Sequence, residues 1–260
     1  MKKFLTLFFT VACVTAVTAQ DSTAVEPTPV ASTTKTTKAP KAKKDWSQVN
    51  LGRRANDHFM LQLGYNAWSS MPDTINTKGL PRTFNMYFMF DFPFKSDPRW
   101  SVGIGAGLGT DNMFFDKTDI DITGRKANTL GFYNVSDTNH FKKYKLATTF
   151  AEIPVELRYV LNPENSNKSW KLAVGAKIGT LLSAQTKGKN LQNRAGNTIN
   201  AYTDKEKSKR YFNGTRLAAT LRAGYGNLGL WGSYQINSFI KEGQGPDVRP
   251  FQIGISLSGL

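Results

Sequence analysis

The chain has 260 residues, a formal charge of +15, 40% hydrophobic and 12% aromatic residues, 22 glycines and one cysteine. Its mean hydropathy is −0.39 and no apolar run nears the roughly 20 residues a spanning helix needs, so a helical membrane protein is excluded; so are a disulfide scaffold and a cysteine-ligated metal site. A membrane barrel stays open, because strands that alternate apolar and polar residues average to a polar sequence, and the basic excess leaves nucleic acid to be decided by where the charges lie.

Lys2 and Lys3 precede the apolar stretch from Phe4 to Ala12, and Val17 and Ala19 occupy the positions a signal peptidase reads. Residues 1–19 are therefore expected to be a secretory signal cleaved after Ala19, taking Cys13 with it and leaving about +13 on the mature chain. Acylation of Cys13 is the less favoured alternative, since Thr10 replaces the usual aliphatic residue. Export makes a cytosolic nucleic-acid partner a poor fit. Residues 20–56 are rich in Thr, Ala, Lys, Pro and Ser without apolar periodicity. They read as a disordered basic linker, with attraction to anionic surfaces or partners as the sharper alternative.

From residue 57 to residue 260 the pattern is that of strands with two unlike faces. Eight segments follow in order. In the first, Phe59, Leu61, Leu63, Tyr65 and Ala67 share a face; in the second, Phe84, Met86, Phe88, Phe90 and Phe92; in the third, Trp100, Val102, Ile104, Ala106 and Leu108, opposite a row of Ser101 and glycines. The fourth runs from about Tyr144 to Val160. Ile153, Val155, Leu157 and Tyr159 share one face there, but Leu146 and Phe150 fall on the other, so a bulge is expected near Ala151. The fifth to eighth begin at Trp170, Arg216, Leu228 and Phe251 and alternate in the same way.

Every mid-strand charge (Asp91, Glu152, Glu156, Arg158, Lys171, Lys177, Arg216 and Arg222) lies opposite the aliphatic rows. A soluble barrel would turn that face outward and a membrane barrel would turn it inward, and alternation alone does not separate the two. Three features favour the membrane. Glycines crowd the charged face, as the narrow interior of an eight-stranded barrel requires. Connections alternate short (94–97, 161–168, 226–227) and long (70–81, 116–143, 184–210, 239–247). Aromatic residues Phe59, Phe92, Trp100, Tyr159, Trp170 and Tyr225 gather on the apolar face at the short-turn ends, as an interface belt does. The expected fold is an all-β, eight-stranded antiparallel up-and-down transmembrane barrel, with both termini on the short-turn, periplasmic side.

Two strands also carry familiar wording. Glu152-Ile153-Pro154-Val155-Glu156-Leu157-Arg158-Tyr159, followed by Gly175-Ala176-Lys177-Ile178-Gly179-Thr180-Leu181-Leu182-Ser183-Ala184, resembles the PorT-like outer-membrane β-barrel family, as does Arg222-Ala223-Gly224-Tyr225-Gly226-Asn227-Leu228. The resemblance spans about residues 57 to 260. It implies a small barrel of the Gram-negative outer membrane, in a family some of whose members are linked to protein secretion and most of which have no assigned reaction.

The inward charges read most simply as a packed network in which Glu152 or Glu156 meets Lys171 or Lys177, since an unpaired buried charge is costly; an ion path or ligand pocket is the alternative. For catalysis there are two histidines, His58 at the short-turn end and His140 in an external loop near Ser136 and Asp137, too far apart to share a site. Asp116, Asp119 and Asp121 read as loop solvation, with weak calcium binding as the alternative. Catalytic residues, cofactor and resident metal are each expected to be absent. External basic residues Lys142, Lys143, Lys145, Lys187, Lys189, Arg194, Lys205, Lys207, Lys209 and Arg210 point to outer-membrane lipid and glycolipid phosphates. Only Tyr202 and Tyr211 stand among them as stacking aromatics, too few for nucleic acid. The expected role is structural or accessory, with a protein partner in the cell envelope and a link to secretion; a lipid-acting barrel enzyme and a narrow channel or transporter are the alternatives.

Overall fold

A computed structural model describes residues 58–73 and 75–259. The expected signal peptide, the linker and Leu260 lie outside the described residues. Among the described residues eleven strands form: β1 (Phe59–Ser69), β2 (Arg82–Pro93), β3 (Trp100–Phe115), β4 (Thr118–Asp121), β5 (Gly131–Asn134), β6 (His140–Val160), β7 (Trp170–Gln192), β8 (Thr198–Lys207), β9 (Thr215–Tyr225), β10 (Leu228–Gln235) and β11 (Arg249–Ser258). Eight of them make a closed antiparallel ring in the order β1, β2, β3, β6, β7, β9, β10, β11, with β11 paired back onto β1. Closure leaves the ring no free edge. At one end the ring strands are joined by short connections: residues 94–99, a 3-10 turn at Pro163–Lys168, and a two-residue hairpin in which Gly226 takes φ 61°, the left-handed geometry a tight hairpin turn needs.

Burial decides which face is which. Along β2, Thr83, Asn85, Tyr87 and Met89 are buried while Phe84, Met86, Phe88 and Phe90 are exposed, and the same alternation runs round the ring. Leu221 is 63% exposed and Leu230 66%, whereas Arg216 is 2% and Glu152 1%. Stranding an aliphatic side chain in water forgoes about 1.5–3 kcal/mol, and soluble proteins avoid apolar surfaces larger than a few hundred Å². A barrel with its charges inside and its aliphatic rows outside is built for lipid, where closure also satisfies every ladder hydrogen bond.

Two expectations are corrected. β6 keeps one phase from His140 to Val160, so Leu146, Thr148 and Phe150 face inward with Glu152 and Glu156, and β6 carries no bulge at Ala151. The irregularity belongs to the partner strand. Thr149 pairs with Ser183 and Phe150 with Leu181, leaving Leu182 as the extra residue of β7, and inward positions shift there from odd numbers to even. The interior itself changes character, from charged in its middle to apolar toward the long-loop end, which mimics a phase change in the sequence. Second, region 184–210 is largely strand, and region 116–143 holds two short strands and the start of β6. β4 and β5 form a separate hairpin, and β8 folds back along the outer part of β7.

Candidate functional site

The interior is filled by two tiers of ion pairs and an apolar plug. The outer tier centres on Arg216 of β9. Its Nη2 donates to Asp111 Oδ2 at 2.5 Å, Nη1 to Glu152 Oε1 at 2.9 Å and Nε to Gln235 Oε1 at 3.1 Å, and the guanidinium carbon sits 3.7 Å from the centre of the Phe150 ring. Glu152 also accepts from the Tyr87 hydroxyl and from Lys177 Nζ at 3.1 Å. Gln252 Nε2 donates to the second Asp111 oxygen at 2.7 Å. The inner tier lies nearer the short turns, where Glu156 Oε2 accepts from Arg222 Nη2 at 2.8 Å and Arg158 Nε at 2.9 Å, and Arg158 Nη1 lies 3.5 Å from Asp91. Lys171 is buried on the same side. In so dry a place charges persist only with close, multiple partners.

Glycine makes the room. A Cβ on Gly109 of β3 would stand 2.8 Å from Glu152 Oε2 and 2.9 Å from Asn85 Oδ1, and one on Gly103 would meet the Arg158 guanidinium. The lumenal glycine row is thus shaped to the charges that face it.

Above the outer tier, Trp68, Met113, Phe115, Leu146, Phe150, Leu181, Phe212, Phe239 and Ile240 pack into one buried cluster. Between this cluster and Asp111 a cavity of about 10 Å³ remains, the room of a single water. The β4–β5 hairpin adds Ile120 and Ile122 to the cluster and is tied to β6 by Tyr144, whose hydroxyl donates to Ile120 O at 3.2 Å. At the end of β4, burial pulls the Asp121 carboxyl up, but backbone donors from Lys126, Arg125 and Gly124 and the Thr123 hydroxyl outweigh it and hold the group well below the usual range. Burial has the upper hand at Glu206 on β8, raising its pKa beside Arg125.

The structure does not bring the catalytic candidates together. His140 Nδ1 lies 3.1 Å from Thr138 O, while Asp137 pairs with Arg194 at 3.3 Å. His58 stacks on Phe88 at the short-turn end. Among the described residues no group of three or more His, Cys, Asp or Glu could hold a metal. A cavity of about 390 Å³ on the loop side is lined by Asp119, Arg125, Lys126, His140, Tyr202 and Glu206 among others; two of its acids are paired, Asp119 with Lys126 and Glu206 with Arg125, each at 2.7 Å. Tyr211 is fully buried and donates to Ala127 O, so it offers no stacking face.

On the outer surface Trp100 pairs with Tyr159 at 4.9 Å between ring centres and Trp170 with Tyr225 at 5.7 Å, both at the short-turn end, where Phe59 and Phe92 also lie. Sequence reading stopped β3 at Leu108 and so missed Asp111, the acid Arg216 grips. Extending the alternation three residues further would have found it. Tyr87, Gln235 and Gln252 carried no signal beyond an inward phase.

A filled ring of this kind, apolar outside and charged within, defines an eight-stranded membrane β-barrel. The model of the outer membrane protein beta-barrel domain family matches residues 46–241, and the chain belongs to that family. Among solved structures, Ail, the attachment invasion locus protein of Yersinia pestis, in complex with the heparin analogue sucrose octasulfate, is similar at 12% identity over 77% of this chain and 95% of that one, with a TM-score of 0.30. A second structure of Ail gives 12% identity over 77% and 94%, with a TM-score of 0.31. A comparison with curated proteins found no match.

Proposed function

We propose that this chain is a non-enzymatic structural or accessory protein of the outer membrane. The observation that carries this reading is the filled interior: ion-pair tiers and an apolar plug occupy the space that a channel would keep as water and an enzyme would keep as a pocket. Work of this kind of barrel then falls to its surfaces. The short turns and both termini face the periplasm, where residues 20–56 form a basic tether behind a cleaved signal peptide. The long connections face outward, among glycolipids, and the aromatic pairs at the short-turn end mark the periplasmic interface of the outer membrane. The wording of β6, β7 and the β9–β10 hairpin supports a PorT-like identity and a place beside secretion machinery. An affinity-tagged full-length chain, cross-linked in native membranes and purified, should bring down an envelope protein in stoichiometric amount; no stoichiometric partner would count against the accessory role.

A further inference from the structure

The lipid-facing rows of β6 and β7 do not end in neutral residues. Beyond the apolar band they carry lysines in matched pairs, Lys143 opposite Lys189 and Lys145 opposite Lys187, and on β8 Lys205 stands opposite Lys187. Like charges directly across a ladder repel and destabilise the pair. None of these four β6 and β7 lysines has a carboxylate of the described residues within ion-pair reach, although Asp204 and Glu206 sit on the neighbouring strand. Those acids line the loop-side cavity instead. The hairpin is therefore split into an acid-bearing inner face and a lysine-bearing outer one. Lys143, Lys145, Lys187 and Lys189, with Phe114 and Tyr144, wall a separate cavity of about 210 Å³. Lys145 Nζ is held there by Asn112 Oδ1 at 2.6 Å and lies 5.8 Å from the Phe114 ring centre.

Position names the occupant. From Tyr159 in the inner aromatic belt to Lys145 is a run of residues along one strand, which at about 3.3 Å each and a tilt of about 40° rises roughly 35 Å. An outer-membrane apolar band is about 25 Å tall, so Lys145 stands roughly 10 Å above it and Lys143 roughly 15 Å, at headgroup level on the barrel flank, reached from the membrane plane.

We propose that Lys143, Lys145, Lys187 and Lys189 form a site for the phosphate groups of an outer-leaflet glycolipid, the anion relieving the cross-strand repulsion that the fold builds in. This deepens the functional reading above, since it rests on the long connections facing outward. Lysine is suited to the task as a compact charge with three donors.

The test uses the full chain in phosphatidylcholine nanodiscs, with a diphosphorylated glucosamine glycolipid or its dephosphorylated form added and retention measured by native mass spectrometry. Wild type should retain the diphosphorylated form, and the K143Q/K145Q/K187Q/K189Q variant should retain it at least about tenfold less, because surface lysines near an anionic layer each add to the attraction. K95Q/K168Q, at the short turns, should bind as wild type. The quadruple variant should also melt no lower than wild type without glycolipid, and should lose the upward shift the glycolipid gives wild type. Equal retention of both glycolipid forms, unchanged binding by the quadruple variant, or complete displacement by inorganic phosphate would overturn the proposal. An inserted barrel that fails to bind refutes this site alone, whereas failure to insert refutes the barrel reading beneath it.

Discussion

Replacing Arg216 by Met removes a charge from the interior while keeping most of its volume. Arg216 is 2% exposed and holds two carboxylates at once, Asp111 at 2.5 Å and Glu152 at 2.9 Å. After the change Glu152 keeps Lys177 and Tyr87, but Asp111 keeps only the Gln252 amide among the contacts described above. A buried carboxylate stripped of its cation costs about 3–5 kcal/mol, so R216M should lower the unfolding free energy by about that much. Adding Asp111→Asn removes the orphaned charge and should return about 1–3 kcal/mol, a coupling of the kind found only between residues in contact. Urea unfolding of the refolded barrel in phosphatidylcholine vesicles, followed by tryptophan fluorescence and by the gel shift between folded and unfolded barrels, measures both. A cost for R216M within about 1 kcal/mol of wild type, or D111N making R216M worse, would refute the view that this tier is a tightly coupled, desolvated unit.

Gly109→Ala places a methyl against Glu152 Oε2 and Asn85 Oδ1, both within 3.0 Å of the new atom; overpacking of that kind should cost about 1–3 kcal/mol in the same assay, while Gly214→Ala, with open space around it, should leave the ion-pair tiers untouched. Asp121→Ala removes the acceptor for Thr123 N, Gly124 N and Lys126 N and should loosen residues 121–131 by about 1–2 kcal/mol, read as faster hydrogen exchange there with the barrel strands unchanged. Because folding depresses the Asp121 pKa from its ordinary 3.8, its stabilisation is complete above that value and fades as pH falls below it. Wild-type exchange in that segment should therefore rise as pH drops below about 3.8, corrected for intrinsic rates, and D121A should lack this dependence.

Much of the architecture was legible because strand periodicity is 2, so a lipid-facing row such as Phe84, Met86, Phe88 and Phe90 announces itself without any partner strand. The alternation also singled out the inward charges, since a charged side chain in mid-strand has one tolerable direction. Of the pairings, only Glu152 with Lys177 was among those read from the sequence; the arginine partners were not legible. Glu156 lies with Arg222 and Arg158, and Glu152 with Lys177 and Arg216, because register and the curvature of the ring set distances across the interior. Leu146 and Phe150 misled for a physical reason: apolar residues inside a barrel look, in sequence, like residues facing lipid. The extended β6–β7–β8 wall was hidden by its polarity, since residues such as Asp204 to Lys207 lack the apolar rows that mark a membrane strand. The lysine pairs across β6 and β7 became visible only with the register that places them opposite one another.

The central claim is that the interior is filled and carries no aqueous path. Planar-bilayer recording of the purified, refolded full-length chain tests it most directly: the account predicts a silent membrane at voltages where porins conduct, and a reproducible unit conductance that scales with the amount of inserted protein would contradict it.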